Sequence, residues 1–198
     1  MGANLQRQSA VAFFDPKCAS NNGISGTVRF KSGVCEIDLA GLGKNEIHAI
    51  HIHEYGDLTQ GCKSCGGHYN PENCDHGTYL DPSRPRHIGD LMNNMKSDKN
   101  GNVKITFKAP DLADISQILG RSVVIHYHKD DLGRQGIMTK NGFKSYSSLD
   151  TETLQKICKS VNYPYENRQQ MINKLNKESL KTGNAGGRMG CAVIGLTK

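Results

Sequence analysis

Apolar and polar residues alternate with a period of two in eight short stretches of the chain: "SAVAFF" from residue 9, "ISGTVRFK" from 24, "VCEIDLA" from 34, "IHAIHIHE" from 47, "DLMNNM" from 90, "NVKITFK" from 102, "SVVIHYH" from 122 and "MGCAVIGL" from 189. A strand sends successive side chains to opposite faces, so each stretch reads as a strand with one core face. The turn clusters "SNNG", "KSG" and "DKNG" between them favour hairpins. The pattern predicts an antiparallel all-β barrel or sandwich.

Two stretches break the rhythm. Residues 55 to 89 are rich in Gly, Pro, Asn, Cys and His, and a connection of that length is usually functional or held by something besides its own core. From 134 to 182 the period changes: Leu154, Ile157, Cys158 and Val161 fall at i, i+3, i+4 and i+7 behind a capping-like "SSLD". Pro164 stops that helix and can open a second through "YENRQQMINKLNK". A short helical hairpin inserted at about 134–177 into a single domain spanning 1–198 is therefore expected.

The chain has 198 residues and a formal net charge of +6, of which +5 lies between 134 and 177. A nearly neutral body with few, scattered aromatic residues argues against nucleic acid binding. No run suits a membrane span, and the start, "MGANLQRQSAVAFFDPK", lacks the pattern of a signal peptide, which predicts a cytoplasmic protein without a membrane partner. Seven cysteines leave at least one thiol unpaired within the chain.

In "HAIHIHEYGD" the strand parity sends His51 and His53 to one side and Ile50 and Ile52 to the other. His48 shares the isoleucines' parity and is assigned to packing. With His68, His76, His87, Asp90 and His126, the chain offers seven metal-type ligands. A borderline metal takes about four nitrogen or oxygen donors, so seven suggest two sites with one shared member.

The segments "HIHEYGDLTQGCKSCGGHYNP", "RHIGDL", "HKDDLG" and "GNAGGRMGCAVIGL" closely resemble the copper/zinc superoxide dismutases. The likeness covers roughly residues 9 to 133 and 178 to 196 and leaves the inserted segment without a counterpart. It implies an eight-stranded antiparallel Greek-key barrel or sandwich, immunoglobulin-like, with long metal-binding loops and a helical insertion in the electrostatic loop. It also implies dismutation of superoxide to oxygen and hydrogen peroxide, as antioxidant defence. Copper would sit on His51, His53, His68 and His126; zinc on His68, His76, His87 and Asp90, with His68 bridging as an imidazolate.

The same resemblance gives Asp130 the role of orienting His51 and His76, and Arg188 that of guiding the substrate anion beside copper. It pairs Cys62 with Cys191, a loop whose closure has a chain-entropy limit of about 5 kcal/mol. Lys181 falls where the family has a guiding lysine. The charged insert, lying inside that loop, is expected to add to steering. His128, two residues past His126, is a candidate adventitious ligand, although the family has no histidine there. A homodimer and a copper chaperone are the implied partners. A non-enzymatic metal carrier on the same scaffold is the rival reading; such relatives lose copper ligands or add an MxCxxC-like segment, and this chain does neither.

Overall fold

In the computed structural model, which describes residues 8–198, all eight expected strands are present. They are β1 (Ser9–Phe14), β2 (Ser25–Lys31), β3 (Val34–Ala40), β4 (Ile47–His53), β6 (Asp90–Lys96), β7 (Val103–Lys108), β8 (Ser122–His126) and β11 (Arg188–Leu196), with a short β5 (Thr59–Cys62) in the long connection. They form one antiparallel sheet in the order β6-β4-β8-β11-β1-β2-β3-β7, whose edge strands β6 and β7 approach one another to give a nearly closed barrel. The residues before 8, part of the segment read for a leader, lie outside the described residues.

The period-two pattern fills the barrel. Ala10, Ala12, Phe14, Val28, Phe30, Ile37, Leu39, Ile50, Ile52, Val123, Ile125 and Ile194 meet in one buried cluster. β4 and β8 differ from ordinary half-exposed strands because their outer faces are covered as well. His51 and His53 on β4, and Val124 and His126 on β8, are all buried under the 55–89 connection. Strand register sets His51 opposite Val124 and Arg188 opposite His126, so two ligand strands and the arginine strand lie side by side.

His48 is buried as packing, its Nδ1 3.0 Å from the His126 carbonyl and its Nε2 2.8 Å from that of Leu42. β8 ends at His126, so His128 does not stay on the ligand face. It turns toward the insert, where its Nε2 donates to the Ser160 carbonyl at 2.8 Å.

The insert departs from the expected helical hairpin. It opens with a β-hairpin, β9 (Gly136–Thr139) and β10 (Gly142–Ser145), before α1 (Thr151–Ser160). The Asp150 side chain caps α1 by accepting from Thr153 N at 2.8 Å. Pro164 lies in the connector rather than opening the second helix. α2 (Arg168–Thr182) begins behind Asn167, whose side chain accepts from Gln170 N, and it runs past residue 177 to a left-handed Gly183. Tyr146, Leu149, Leu154, Cys158, Met171, Ile172 and Leu175 make a small core separate from the barrel's.

Candidate metal centre

His51 and His53 come from β4, His126 from the end of β8, Asp90 from the start of β6, and His68, His76 and His87 from the long connection. Two overlapping groups result. His51, His53, His68 and His126 each offer a ligand atom within 4.8 Å of the others, as do His68, His76, His87 and Asp90. All seven residues are buried, and His68 belongs to both groups.

In the second group one carboxylate oxygen faces three ring nitrogens. Asp90 Oδ1 is 2.9 Å from His68 Nδ1, 2.9 Å from His76 Nδ1 and 3.3 Å from His87 Nδ1, and the His68 and His87 Nδ1 atoms are 3.4 Å apart. Tetrahedral zinc with bonds near 2.0–2.1 Å spaces its donors about 3.3 Å apart. The other oxygen of Asp90 accepts from the backbone N–H groups of Gly77 and His87, each at 3.0 Å, which aims Oδ1 inward.

The first group shows its chemistry through missing partners. His51 Nδ1 and His68 Nε2 are buried ring nitrogens without a hydrogen-bond partner, and His53 Nε2 and His126 Nε2 lie 3.3 Å apart. Buried polar atoms are normally satisfied, so unpartnered nitrogens from adjoining elements fit a metal ion. The stacked rings of His51 and His68, 4.0 Å between centroids, bring the two groups together. His68 presents Nδ1 to the Asp90 set and leaves Nε2 for the copper-type set.

Asp130 holds the far edges of both groups. Its carboxylate accepts from His51 Nε2 at 2.7 Å and His76 Nε2 at 3.0 Å, fixing which nitrogen of each ring is left as a ligand. Two asparagines absent from the sequence reading fix Asp130 in turn. Asn93 Nδ2 donates to its carboxylate at 3.0 Å, while Asn94 accepts from Asp130 N at 2.8 Å and donates to Asp130 O at 2.9 Å. Asn93 is fully buried at φ 63°, beside a register shift between Ile50 and His51. The signal for it was the two polar residues in "DLMNNM" where an alternating strand would carry one.

Burial and the two buried carboxylates set the protonation of the metal-free site. Burial and the neighbouring His51 hold His68 down to about 3, and burial likewise holds His53 and His126 well below the usual histidine range. Burial works against a charge on His76, yet the Asp130 and Asp90 carboxylates raise it to about 10. Burial pushes Asp90 upward, but the surrounding imidazoles, His76 foremost, bring it well below the carboxylate range. Asp130 is lowered by the same opposition of burial against His76 and His51.

A cavity of about 670 Å³ opens over His53, His68 and His126, with Arg188 in its wall. The half-buried guanidinium donates to the carbonyls of Cys62, Lys63 and Gly66. The Cys62–Cys191 disulfide joins that loop to β11 across a sequence separation of 129. The insert supplies the outer wall through Ser160, Val161, Asn162, Tyr163, Glu178 and Thr182. Lys181 is not in that wall: it lies on the exposed side of α2, and none of the insert's basic residues lines the cavity.

A β-barrel with a buried pair of imidazole-rich sites sharing one histidine defines a binuclear metalloprotein with an open face toward small anions. The copper/zinc superoxide dismutase model matches residues 24–147. Curated relatives are the Cu-Zn superoxide dismutases of Saccharomyces cerevisiae, 38% identical over 183 residues and covering 88% of this chain and 92% of the relative, and of Paramecium bursaria Chlorella virus 1, 37% identical over 181 residues and covering 88% and 74%. An extracellular Cu-Zn superoxide dismutase of Drosophila melanogaster is 32% identical, covering 98% of this chain and 87% of the relative. Among solved structures, the clock protein EA4 aligns with a TM-score of 0.67 at 29% identity, covering 100% of this chain and 99% of its own. The chain belongs to the copper/zinc superoxide dismutase family. Its activity is the dismutation of superoxide to oxygen and hydrogen peroxide, with copper and zinc as cofactors.

Proposed function

We propose that His51, His53, His68 and His126 hold copper and that His68, His76, His87 and Asp90 hold zinc. The observation that carries this is His68, whose Nδ1 faces Asp90 Oδ1 at 2.9 Å while its Nε2 is buried without a partner. Copper supplies the one-electron redox couple, and zinc supplies charge that favours loss of the second ring proton of His68.

The chain's own residues do the remainder. Arg188, fixed by three carbonyls of the disulfide loop, presents a guanidinium to the cavity and holds the incoming anion by charge and hydrogen bond. His68 Nε2, whenever it is not holding copper, would carry the proton delivered to the departing peroxide. Asp130 keeps the rings of His51 and His76 in place, and Cys62–Cys191 keeps the Arg188 seat in place. Lys181, outside the cavity wall, acts on the anion only through the longer-range field. Metal analysis of wild type and His68→Ala, run beside a superoxide assay, tests the assignment. Wild type should carry one copper and one zinc, and retention of both metals and full turnover by the variant would overturn it.

The reading includes a homodimer. Tyr55, Val193 and Leu196 are exposed apolar side chains, and a Cβ on Gly56 would strike the Gly120 carbonyl and Val193, which puts the chain next to Tyr55 against β11. Sedimentation of Val193→Asp against wild type tests that face. A cytoplasmic enzyme loaded by a copper chaperone completes the reading, and cell fractionation and copper transfer from such a protein test it. No helix among the described residues is long and apolar enough to cross a membrane.

A further inference from the structure

Three of the seven cysteines gather at one place. Cys62, Cys65 and Cys191 share a buried apolar cluster with Val124, and Cys65 is fully buried there as a free thiol. Cys62 and Cys65 are separated by Lys63 and Ser64 in a single 3₁₀ turn, Lys63–Cys65, which follows β5. The Cys65 Sγ donates only to the Asp57 carbonyl, at 3.7 Å. Arg188 pins the same turn through the carbonyls on either side of Cys65, at Cys62, Lys63 and Gly66. The other buried free thiols, Cys35 and Cys158, lie in the barrel core and the insert core.

We infer that Cys65 is a relay thiol through which the Cys62–Cys191 disulfide is installed. Pairing Cys62 directly with Cys191 closes a separation of 129 residues, whereas Cys65 is three residues away. Ideal-chain statistics favour the local closure by roughly two orders of magnitude before the fold has formed. A small disulfide oxidant accepts two electrons from Cys62 and Cys65, which become bonded as their two protons leave with the reduced thiols. Folding then brings β11 beside the turn. The Cys191 thiolate attacks Cys62 Sγ, the Cys62–Cys191 bond forms, and Cys65 leaves as a thiolate that takes up a proton; this second step needs no oxidant. The Val124 cluster keeps the released thiol dry beside the finished bond, where it is shielded from further oxidation.

The test follows disulfide formation in the reduced full-length chain under oxidised glutathione, with acid quenching, alkylation and peptide mapping by mass spectrometry. A Cys62–Cys65 linkage should rise first and decay into Cys62–Cys191. Cys65→Ser should slow the appearance of Cys62–Cys191 at least tenfold without changing the final pairing, while Cys158→Ala leaves the rate as in wild type. In Cys191→Ser, Cys62–Cys65 should accumulate as the end product. Equal rates in wild type and Cys65→Ser, or reduced Cys62 and Cys65 in Cys191→Ser, would overturn the relay; the latter readout stands even if Cys65→Ser fails to fold.

Discussion

In β4 and β8, every position from His48 to His53 and from Ser122 to His126 is buried, and the core face and the ligand face are packed at once. In α1 the buried side chains are Leu154 and Cys158 alone, and α2 buries Met171, Ile172, Leu175 and Ser179 while keeping much of its surface in water. The barrel therefore holds its candidate ligands by continuous packing and ladder hydrogen bonds. The insert is a small unit with its own core, attached by polar contacts. Tyr146 Oη, Ser179 Oγ and Asn184 Nδ2 all donate to the Asp131 carboxylate, at 2.7, 2.8 and 2.8 Å, and the Leu180 carbonyl accepts from His76 N at 2.7 Å. Gly183 closes that attachment at φ 64°, where a Cβ would strike the Asp130 carboxylate and the His76 ring. Damage to the barrel face should cost metals and activity, and damage to the insert should cost its attachment first.

The strongest test of this division is His68→Ala, which should abolish turnover and strip metal from both groups, as seen by metal analysis beside a superoxide assay. Asp130→Asn should follow, because His51 and His76 both donate to that carboxylate. Loss of such an outer partner costs roughly 10–100-fold in metal affinity, measurable by competition with a zinc chelator. Tyr146→Phe removes one donor from Asp131 and should lower stability by about 1 kcal/mol in thermal unfolding, with metal content unchanged. If that variant lost zinc as readily as Asp130→Asn, the insert would count as part of the metal centre. The smallest effect should come from Lys181→Ala: a modest fall in turnover at low ionic strength that fades as salt is added.

The metal-free chain sharpens the comparison by pH. His68 is lowered from 6.5 to about 3, so its contribution to stability is present above 6.5 and lost as pH falls from there toward 3. Asp90 and Asp130, both lowered, lose theirs as pH falls below 3.8. His76, raised to about 10, acts in the other direction: its contribution is present below 6.5 and disappears as pH rises through about 10. Melting curves of the metal-free protein should thus weaken on both sides of neutrality. Flat stability from pH 4 to 10 would contradict these assignments.

The barrel was legible because alternation is local, and the candidate metal groups because imidazoles at strand parity in "HIH" serve no core. The insert was harder to read. Leu154 and Cys158 announced α1, but the Pro164 signal competed with the Asn167 cap, which satisfies Gln170 N and sets the actual start of α2. The β9–β10 hairpin is only four residues a side and shows no clean alternation in "GIMT" and "GFKS". Asn93 and Asn94 take their meaning from Asp130, 37 and 36 residues away, and Tyr146 takes its meaning from Asp131 and Asn184. Such contacts are long-range products of the fold and leave no period in the chain.

The outer wall that α1 and α2 raise over His53, His68 and His126 has a consequence for electron traffic. A donor the size of a protein meets the helices before it meets the imidazoles, whose exposure is 1%, 6% and 4%. A diatomic anion fits that cavity, whereas a protein-sized partner is held off the imidazoles by the wall of the insert.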